Sequence, residues 1–276
     1  MPVPAKAGMG VGREICADGY NNKVITMQID DLKGRRVLIT GASTGIGAAL
    51  ARAFSQQGAN VAIHYGKSDA EAKALAKEIG ASICIQGDFG KRGEAKRVVT
   101  EAVAKLGGLD ILINNAGSLV QREPIQTMAA DVVDSIMELN VHAVLEGSQA
   151  AIPYLSKRPG GVIINVGSIA GNNGGGPGSG VYAGAKAFVH NLTRHLAGEL
   201  AEAGIRVNCV SPGVIGTPFH AMTPPERMEA MRKTTKLGRI GTAEDCVGAF
   251  LFLASNQMSS YITGQNIHVN GGQIMP

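Results

Sequence analysis

RRVLITGASTGIGAALARAF, residues 35–54, decides how the whole chain is read. Its first part, RRVLIT (35–40), is rich in β-branched residues and nearly continuous in apolar character, as suits a strand buried on both faces of a parallel sheet. GASTGIG follows at once with Gly41, Gly45 and Gly47, and AALARAF then sets alanine and leucine at helical spacing. A glycine-rich turn from strand to helix lets backbone approach a pyrophosphate, and the helix N-terminus adds free N–H groups and a favourable dipole. Glycines in a loop are a weak signal alone. Placed after a buried strand at the head of an alternating series, they predict a dinucleotide-phosphate turn.

The same pattern runs outward from it. Apolar runs recur at NVAIHY (60–65), ASICIQ (81–86), LDILIN (109–114), GVIINV (161–166), IRVNCV (205–210) and QNIHVN (265–270). Between them lie helix-length segments such as AEAKALAKEIG (70–80), closed by glycine. Parallel strands need crossover connections, so this alternation predicts a single α/β domain over residues 34–276. Its expected form is a Rossmann-type doubly wound parallel sheet of about seven strands with helices on both faces. Residues 1–33 are mixed and glycine-punctuated, and read as an N-terminal extension outside the core fold, flexible or partly vector-derived, with Met27 an alternative native start.

Composition removes several function classes. Hydrophobic content of 45% against 17% charged residues describes a globular protein with a substantial core. The net charge is +4 with basic residues spread along the chain, Trp is absent and aromatics are 4%. That leaves neither the basic stripe nor the stacking platform of a nucleic-acid binder. Cys16, Cys84, Cys209 and Cys246 form no CxxC pair, which argues against a disulfide framework or a zinc site and fits a reducing cytoplasm. No apolar run approaches the roughly 18 residues of a membrane helix. The six histidines (His64, His142, His190, His195, His220 and His268) are scattered and read as structural or solvated, and no metal is expected.

TGASTGIG (40–47), NNAG (114–117) and YAGAK (182–186), in that order, resemble the short-chain dehydrogenase/reductases, over residues 34 to about 275. Within that family the chain resembles the NADP-preferring, 3-oxoacyl-carrier-protein-reductase-like branch. The resemblance implies that Gly41, Ser43, Thr44, Gly45, Ile46 and Gly47 surround the pyrophosphate. It also implies that Asp88 contacts the adenine amino group beside Phe89, and that Asn115, Ala116 and Gly117 line the cofactor. In SPGVIGTPF, Pro212, Gly213 and Ile215 then pass near the nicotinamide and Thr217 bonds its carboxamide or the pyrophosphate. Asn114 is expected to tie the sheet together. Where NAD enzymes place a carboxylate at the end of the second strand, this chain has Tyr65-Gly66-Lys67-Ser68, with Asp69 displaced toward the next helix. Lys67 and the Ser68 hydroxyl could hold a 2′-phosphate that a carboxylate would repel, which predicts NADP(H) preference with NAD(H) possible. A solvated loop lysine is the alternative for Lys67, and a loop cap the alternative for Asp88.

Tyr182 and Lys186 are four apart, so a helix there sets both on one face. An ammonium near the phenol favours the phenolate of a group whose reference pKa is about 10, so Lys186 is expected to tune Tyr182 downward. Ser168 ends GVIINV at the sheet edge where ligands collect and can bond the substrate oxygen. By resemblance Lys186 also grips the nicotinamide ribose, and Asn140 positions a water for proton relay to Lys186. The expected reaction is hydride transfer between NADP(H) and a small carbonyl or alcohol substrate, with Tyr182 as acid/base. A 3-oxoacyl-carrier-protein reductase is the second reading, weakened because Ala197-Gly198-Glu199 lacks the arginine expected after the tyrosine; Arg194 is the alternative for that role. A non-catalytic NADP-binding sensor or scaffold is the third, and would be expected to lose Tyr182 or Lys186. Residues 220–242, with their methionines and paired prolines, read either as a substrate-covering lid or as core packing. Asn172 to Gly180 is expected to bulge at the pocket wall, and the family implies a homotetramer.

Overall fold

The structure is a computed structural model and describes residues 28–81 and 83–276. Seven strands form one sheet: β1 (Arg36–Ile39), β2 (Asn60–Tyr65), β3 (Ile83–Gln86), β4 (Ile111–Asn114), β5 (Gly161–Val166), β6 (Ile205–Pro212) and β7 (Asn266–Val269). Their order is β3-β2-β1-β4-β5-β6-β7, and every neighbouring pair is parallel. The helices in its first half are α1 (Gly45–Gln56), α2 (Asp69–Ile79), α3 (Glu94–Leu106), α4 (Ala130–Met137) and α5 (Ala143–Leu155). Those that follow are α6 (Ala170–Asn173), α7 (Gly180–Glu199), α8 (Pro225–Thr234), α9 (Ala243–Ala254) and α10 (Asn256–Ser259).

Alternation along each strand sends neighbouring side chains to opposite layers. Val37 and Ile39 of β1 pack with Leu50 and Phe54 of α1, Leu75 of α2 and Phe250 of α9. Leu38, between them, packs with Val98 and Val99 of α3, Leu155 of α5 and Leu196 of α7. Because both faces are covered, the strands can be apolar throughout, which is why the runs were visible in the sequence. The chain reverses its winding between β1 and β4, and ligands of open α/β sheets bind outside the strand ends at such a point.

The predicted boundary after residue 33 is corrected. Ile29 and Leu32 are buried in the same cluster as α1 and α9. The Asp31 carboxylate accepts hydrogen bonds from Ser255 Oγ (2.7 Å) and from the N–H groups of Asn256 (2.7 Å) and Gln257 (3.1 Å), at the start of α10. Residues 28–33 are therefore part of the fold; residues 1–27, with Cys16, lie outside the described residues. Among the described residues, no group of His, Cys, Asp and Glu could hold a metal, and no helix is long and apolar enough to cross a membrane. Leu32→Ala leaves a void under a fully buried side chain and is expected to cost about 2–4 kcal/mol of stability. Urea unfolding of the variant checks it.

Candidate active site

A cleft of about 650 Å³ opens at the C-terminal ends of the strands, across the β1/β4 division. Ser43, Thr44 and Ile46 line it together with Gly41 and Gly45, whose φ of 61° and 56° fall in the left-handed region open to glycine. Gly47 lies beneath the turn and not in the lining; a Cβ there would overlap the Gly41 carbonyl and lie 2.6 Å from Asn115 Nδ2. Added methyl groups at Gly41 and Gly117 would come within 2.9 Å of Ala116 Cα and 2.8 Å of Asn140 Oδ1. The wall is thus bare backbone, and Thr44, at the N-cap of α1, bonds no helical N–H with its side chain. Free N–H groups, close backbone and no carboxylate at the turn fit a dinucleotide diphosphate.

At the other end of the turn, Lys67, Asp88 and Phe89 line the cleft. Lys67 is exposed and forms no ion pair among the described residues. Tyr65 and Ser68, both expected here, do not line it. The pleat turns Tyr65 into the core beside Leu75, where its hydroxyl donates to Asp69 Oδ1 at 2.6 Å, and Ser68 is the N-cap of α2. Their neighbour His64 takes the place instead. Its Nδ1 accepts from the Gly41 N–H (3.0 Å), its Nε2 meets the Gly87 carbonyl (3.1 Å), and its ring stacks on Phe89 at 3.9 Å. Burial pushes its pKa down to about 4, so the neutral ring ties the glycine turn to the end of β3. The alternation of β2 sets His64 and Tyr65 on opposite faces without saying which face meets the cleft, so the sequence carried no signal that selects His64.

Across the cleft, Ser168, Tyr182 and Lys186 stand together with Pro212, Gly213, Ile215 and Thr217. A methyl group at Gly45 would touch Thr217 Cβ at 3.3 Å, so this last segment closes over the glycine turn. Lys186 Nζ donates to the Val166 carbonyl at 2.8 Å and lies 5.6 Å from the centre of the Tyr182 ring. The expected downward shift of Tyr182 is corrected. Burial pushes the phenol up to about 12, against the pull of its side-chain hydrogen bond with Ser168 and of the Arg122 charge. The same burial pushes Lys186 down to about 8. Desolvation opposes both charged forms, and it outweighs what spacing along the helix suggested.

Asn140 is fully buried in a π-helical turn, Glu138–His142, and does not line the cleft. Its Nδ2 donates to the carbonyls of Ser118 and Ile136, both at 2.9 Å, and its Oδ1 accepts from the Ser118 N–H at 3.3 Å. The methyl test at Gly117 also places Lys186 Nζ 3.2 Å away, so Asn140 and Lys186 flank one glycine. Asn114 donates to Asn165 Oδ1 (2.9 Å) and Ser148 Oγ (3.1 Å) inside the sheet. Phe219 and His220 line the cleft, with the Phe219 ring 5.7 Å from that of Tyr182, whereas Met222 points to solvent. The segment after Thr217 therefore contributes an aromatic wall and not a methionine one. Asn172 to Gly180 stands outside the lining. His190, one turn beyond Lys186, sits behind Ser168 with Nε2 2.8 Å from Ser211 Oγ, and the helical period of α7 could have found it.

Known proteins resemble this chain over nearly its whole described length. Residues 41–273 match the family model described as Enoyl-(acyl carrier protein) reductase. A 3-oxoacyl-(acyl-carrier-protein) reductase FabG of Staphylococcus aureus is 38% identical over 245 residues, covering 87% of this chain and 98% of the relative. A short-chain dehydrogenase from Burkholderia cenocepacia, solved in complex with NADP, superposes with a TM-score of 0.83 at 33% identity, covering 88% of this chain and 99% of that one. The NADH-dependent reductase A1-R′, complexed with NAD, gives 0.81 at 35% identity, covering 90% and 100%. The chain belongs to the short-chain dehydrogenase/reductase family of NAD(P)-dependent oxidoreductases.

Proposed function

We propose that the protein reduces a small carbonyl compound to an alcohol with NADPH, and oxidises the alcohol with NADP in reverse. The observation that carries this is the meeting of a bare glycine turn with Ser168, buried Tyr182 and buried Lys186 in one cleft. When bound, the nicotinamide supplies or accepts the hydride at the carbonyl carbon. Tyr182 stays protonated at neutral pH and gives its proton to the carbonyl oxygen. Ser168 orients that oxygen: its Oγ already accepts the Ala170 N–H (3.1 Å), which leaves its own proton to donate. Lys186 and Asn140, on either side of Gly117, return the proton through water. Lys186, Asn115 and Thr217 hold the nicotinamide half, and Asp88 with Phe89 holds the adenine.

Preference for NADP(H) rests on Lys67, which lines the cleft and forms no ion pair among the described residues, and on Asp69, whose carboxylate is engaged by Tyr65 and by Lys73 at 2.8 Å. The second reading, reduction of a 3-oxoacyl group on a carrier protein, is favoured by the 38% identity to a reductase of that name. It needs cations at the mouth for an acidic partner. Arg194, exposed on α7 one turn past His190, is the cation this reading would call on.

NADPH consumption against a panel of aldehydes, ketones and 3-oxoacyl thioesters tests the proposal. Tyr182→Phe is expected to lower turnover by about 10²–10⁴ while leaving NADPH affinity intact, and wild-type turnover in that variant would refute Tyr182 as the acid. Lys67→Ala is expected to weaken NADPH by about tenfold while NADH is held as before, the loss of one charge-assisted contact. Titrations with both dinucleotides check it.

A further inference from the structure

Two guanidinium groups outside the cleft lining, those of Arg122 and Arg227, act by charge on residues that line it, and neither forms an ion pair among the described residues. Arg122 follows the turn at Val120, whose φ of 58° is the one left-handed value at a non-glycine among the described residues. Its side chain is half-buried and makes no hydrogen bond or ion pair among the described residues. Its backbone packs on the glycine loop: a methyl group at Gly178 would lie 3.5 Å from Arg122 Cβ, and the Glu123 N–H donates to the Gly178 carbonyl at 3.1 Å. Arg227 reaches the same loop from α8, where its Nη2 donates to the Pro177 carbonyl at 3.0 Å. Arg227 through its guanidinium, and Arg122 through its main chain and Cβ, therefore meet at consecutive residues, Pro177 and Gly178.

Among the described residues no acid stands within ion-pair distance of either guanidinium, their chain neighbours Glu123 and Glu226 included. Glu229 is paired with Arg232 at 2.7 Å, and Glu123 Oε2 accepts from Gln121 Nε2 at 2.9 Å. Burial, then the charge of Arg227, pulls Arg122 below the ordinary arginine range, so the two groups feel each other. The Arg122 charge also acts on the Tyr182 phenol, and both arginine charges act on His220. Half-buried like charges repel more strongly than they would in water. An anion between them would relieve that repulsion, and the guanidinium fork matches the two oxygens of a carboxylate.

We propose that Arg122 and Arg227 form an anion subsite, and that the substrate is an oxo acid bearing its carboxylate a few bonds from the carbonyl that is reduced. The substrate class rests on the reading of Tyr182 as proton donor to that carbonyl; the subsite itself does not. The reaction balances as oxo acid + NADPH + H⁺ → hydroxy acid + NADP⁺. The hydride forms the new C–H bond, the carbonyl π pair becomes the alkoxide lone pair, and the Tyr182 proton completes the hydroxyl. Phe219 and His220 line the cleft, with Phe219 5.7 Å from the Tyr182 ring and 5.1 Å from that of His220.

The test compares 2-, 3- and 4-oxo acids with their methyl esters, and with 3-oxoacyl thioesters, in wild type and in an Arg122→Gln/Arg227→Gln double variant. Wild type is expected to prefer at least one acid over its ester by about tenfold or more in kcat/KM, the size of a charge-assisted hydrogen bond. The double variant is expected to bring that ratio near one, and Arg122→Lys/Arg227→Lys to keep part of it. Calorimetric titration of the same oxo acids into the protein saturated with NADP gives a readout independent of turnover. Binding there is expected to weaken about tenfold in the glutamine variant and with added salt. Esters or thioesters handled as well as acids by wild type, or a ratio unchanged in the glutamine variant, overturns the subsite. Arginine-dependent binding of an oxo acid with no reduction of any carbonyl supports the subsite and overturns the reductase reading instead.

Discussion

Where β1 and β4 part, their main-chain groups run out of ladder partners, and two side chains take over. Thr40 Oγ1 accepts from the N–H groups of Asn115 (2.9 Å) and Ala116 (3.0 Å) and donates to the Ile113 carbonyl (3.2 Å). Asn115 Nδ2 returns two bonds, to the carbonyls of Thr40 (2.8 Å) and Gly41 (2.9 Å). Buried backbone polar groups left unpaired would cost about as much as the hydrogen bonds lost. The knot therefore keeps the two strand ends apart at a fixed width and fixes the Gly41 turn against Ala116. From Ala116 the chain passes to Gly117 and Ser118, which Asn140 holds, and Lys186 closes on the same glycine. The phosphate side and the proton side of the cleft are joined through one short segment.

A second set of buried bonds fixes α7, and with it Tyr182. Asn114 bonds Asn165 across β4 and β5, and Asn165 Nδ2 donates to Thr193 Oγ1 on α7 at 3.0 Å. Lys186 adds its own bond to β5 through the Val166 carbonyl. Satisfied buried polar networks of this kind specify one arrangement of the elements that share them. Here they hold the phenol in a dry setting, 8% exposed, where it stays protonated. Burial separates the two groups' titration ranges in the direction proton transfer needs: it raises the acid and lowers the cation that resupplies it.

Most of this was legible in the sequence, for a physical reason. Strands packed between helix layers carry nearly continuous apolar runs, so the seven stood out, and the glycines of the first turn stood out because their φ or their close neighbours exclude a side chain. Ile29 and Leu32 were missed because two isolated apolar residues in a polar stretch have no period, although both are buried against α1 and α9. Tyr65 was taken for His64 because a one-residue step in a strand reverses the face, and the pattern at the end of β2 gives the step but not which face meets the cleft. Spacing gave the pairing of Tyr182 with Lys186. The sign of the shift depends on how dry the site is, which is a property of the assembled layers. Arg122 was invisible for a related reason: its loop meets α8 and the glycine loop only in three dimensions.

The pH dependence of the two directions of catalysis tests the central claim most directly. With Tyr182 held near 12, reduction is expected to be flat through neutral pH, because the acid stays protonated. Alcohol oxidation must first lose a proton from the Tyr182–Lys186 pair, so its kcat/KM is expected to climb about tenfold per pH unit until the pair ionises. The buried lysine sets that bend at about 8. Oxidation independent of pH across the same range, with hydride transfer still limiting the rate, would show that neither residue carries the proton.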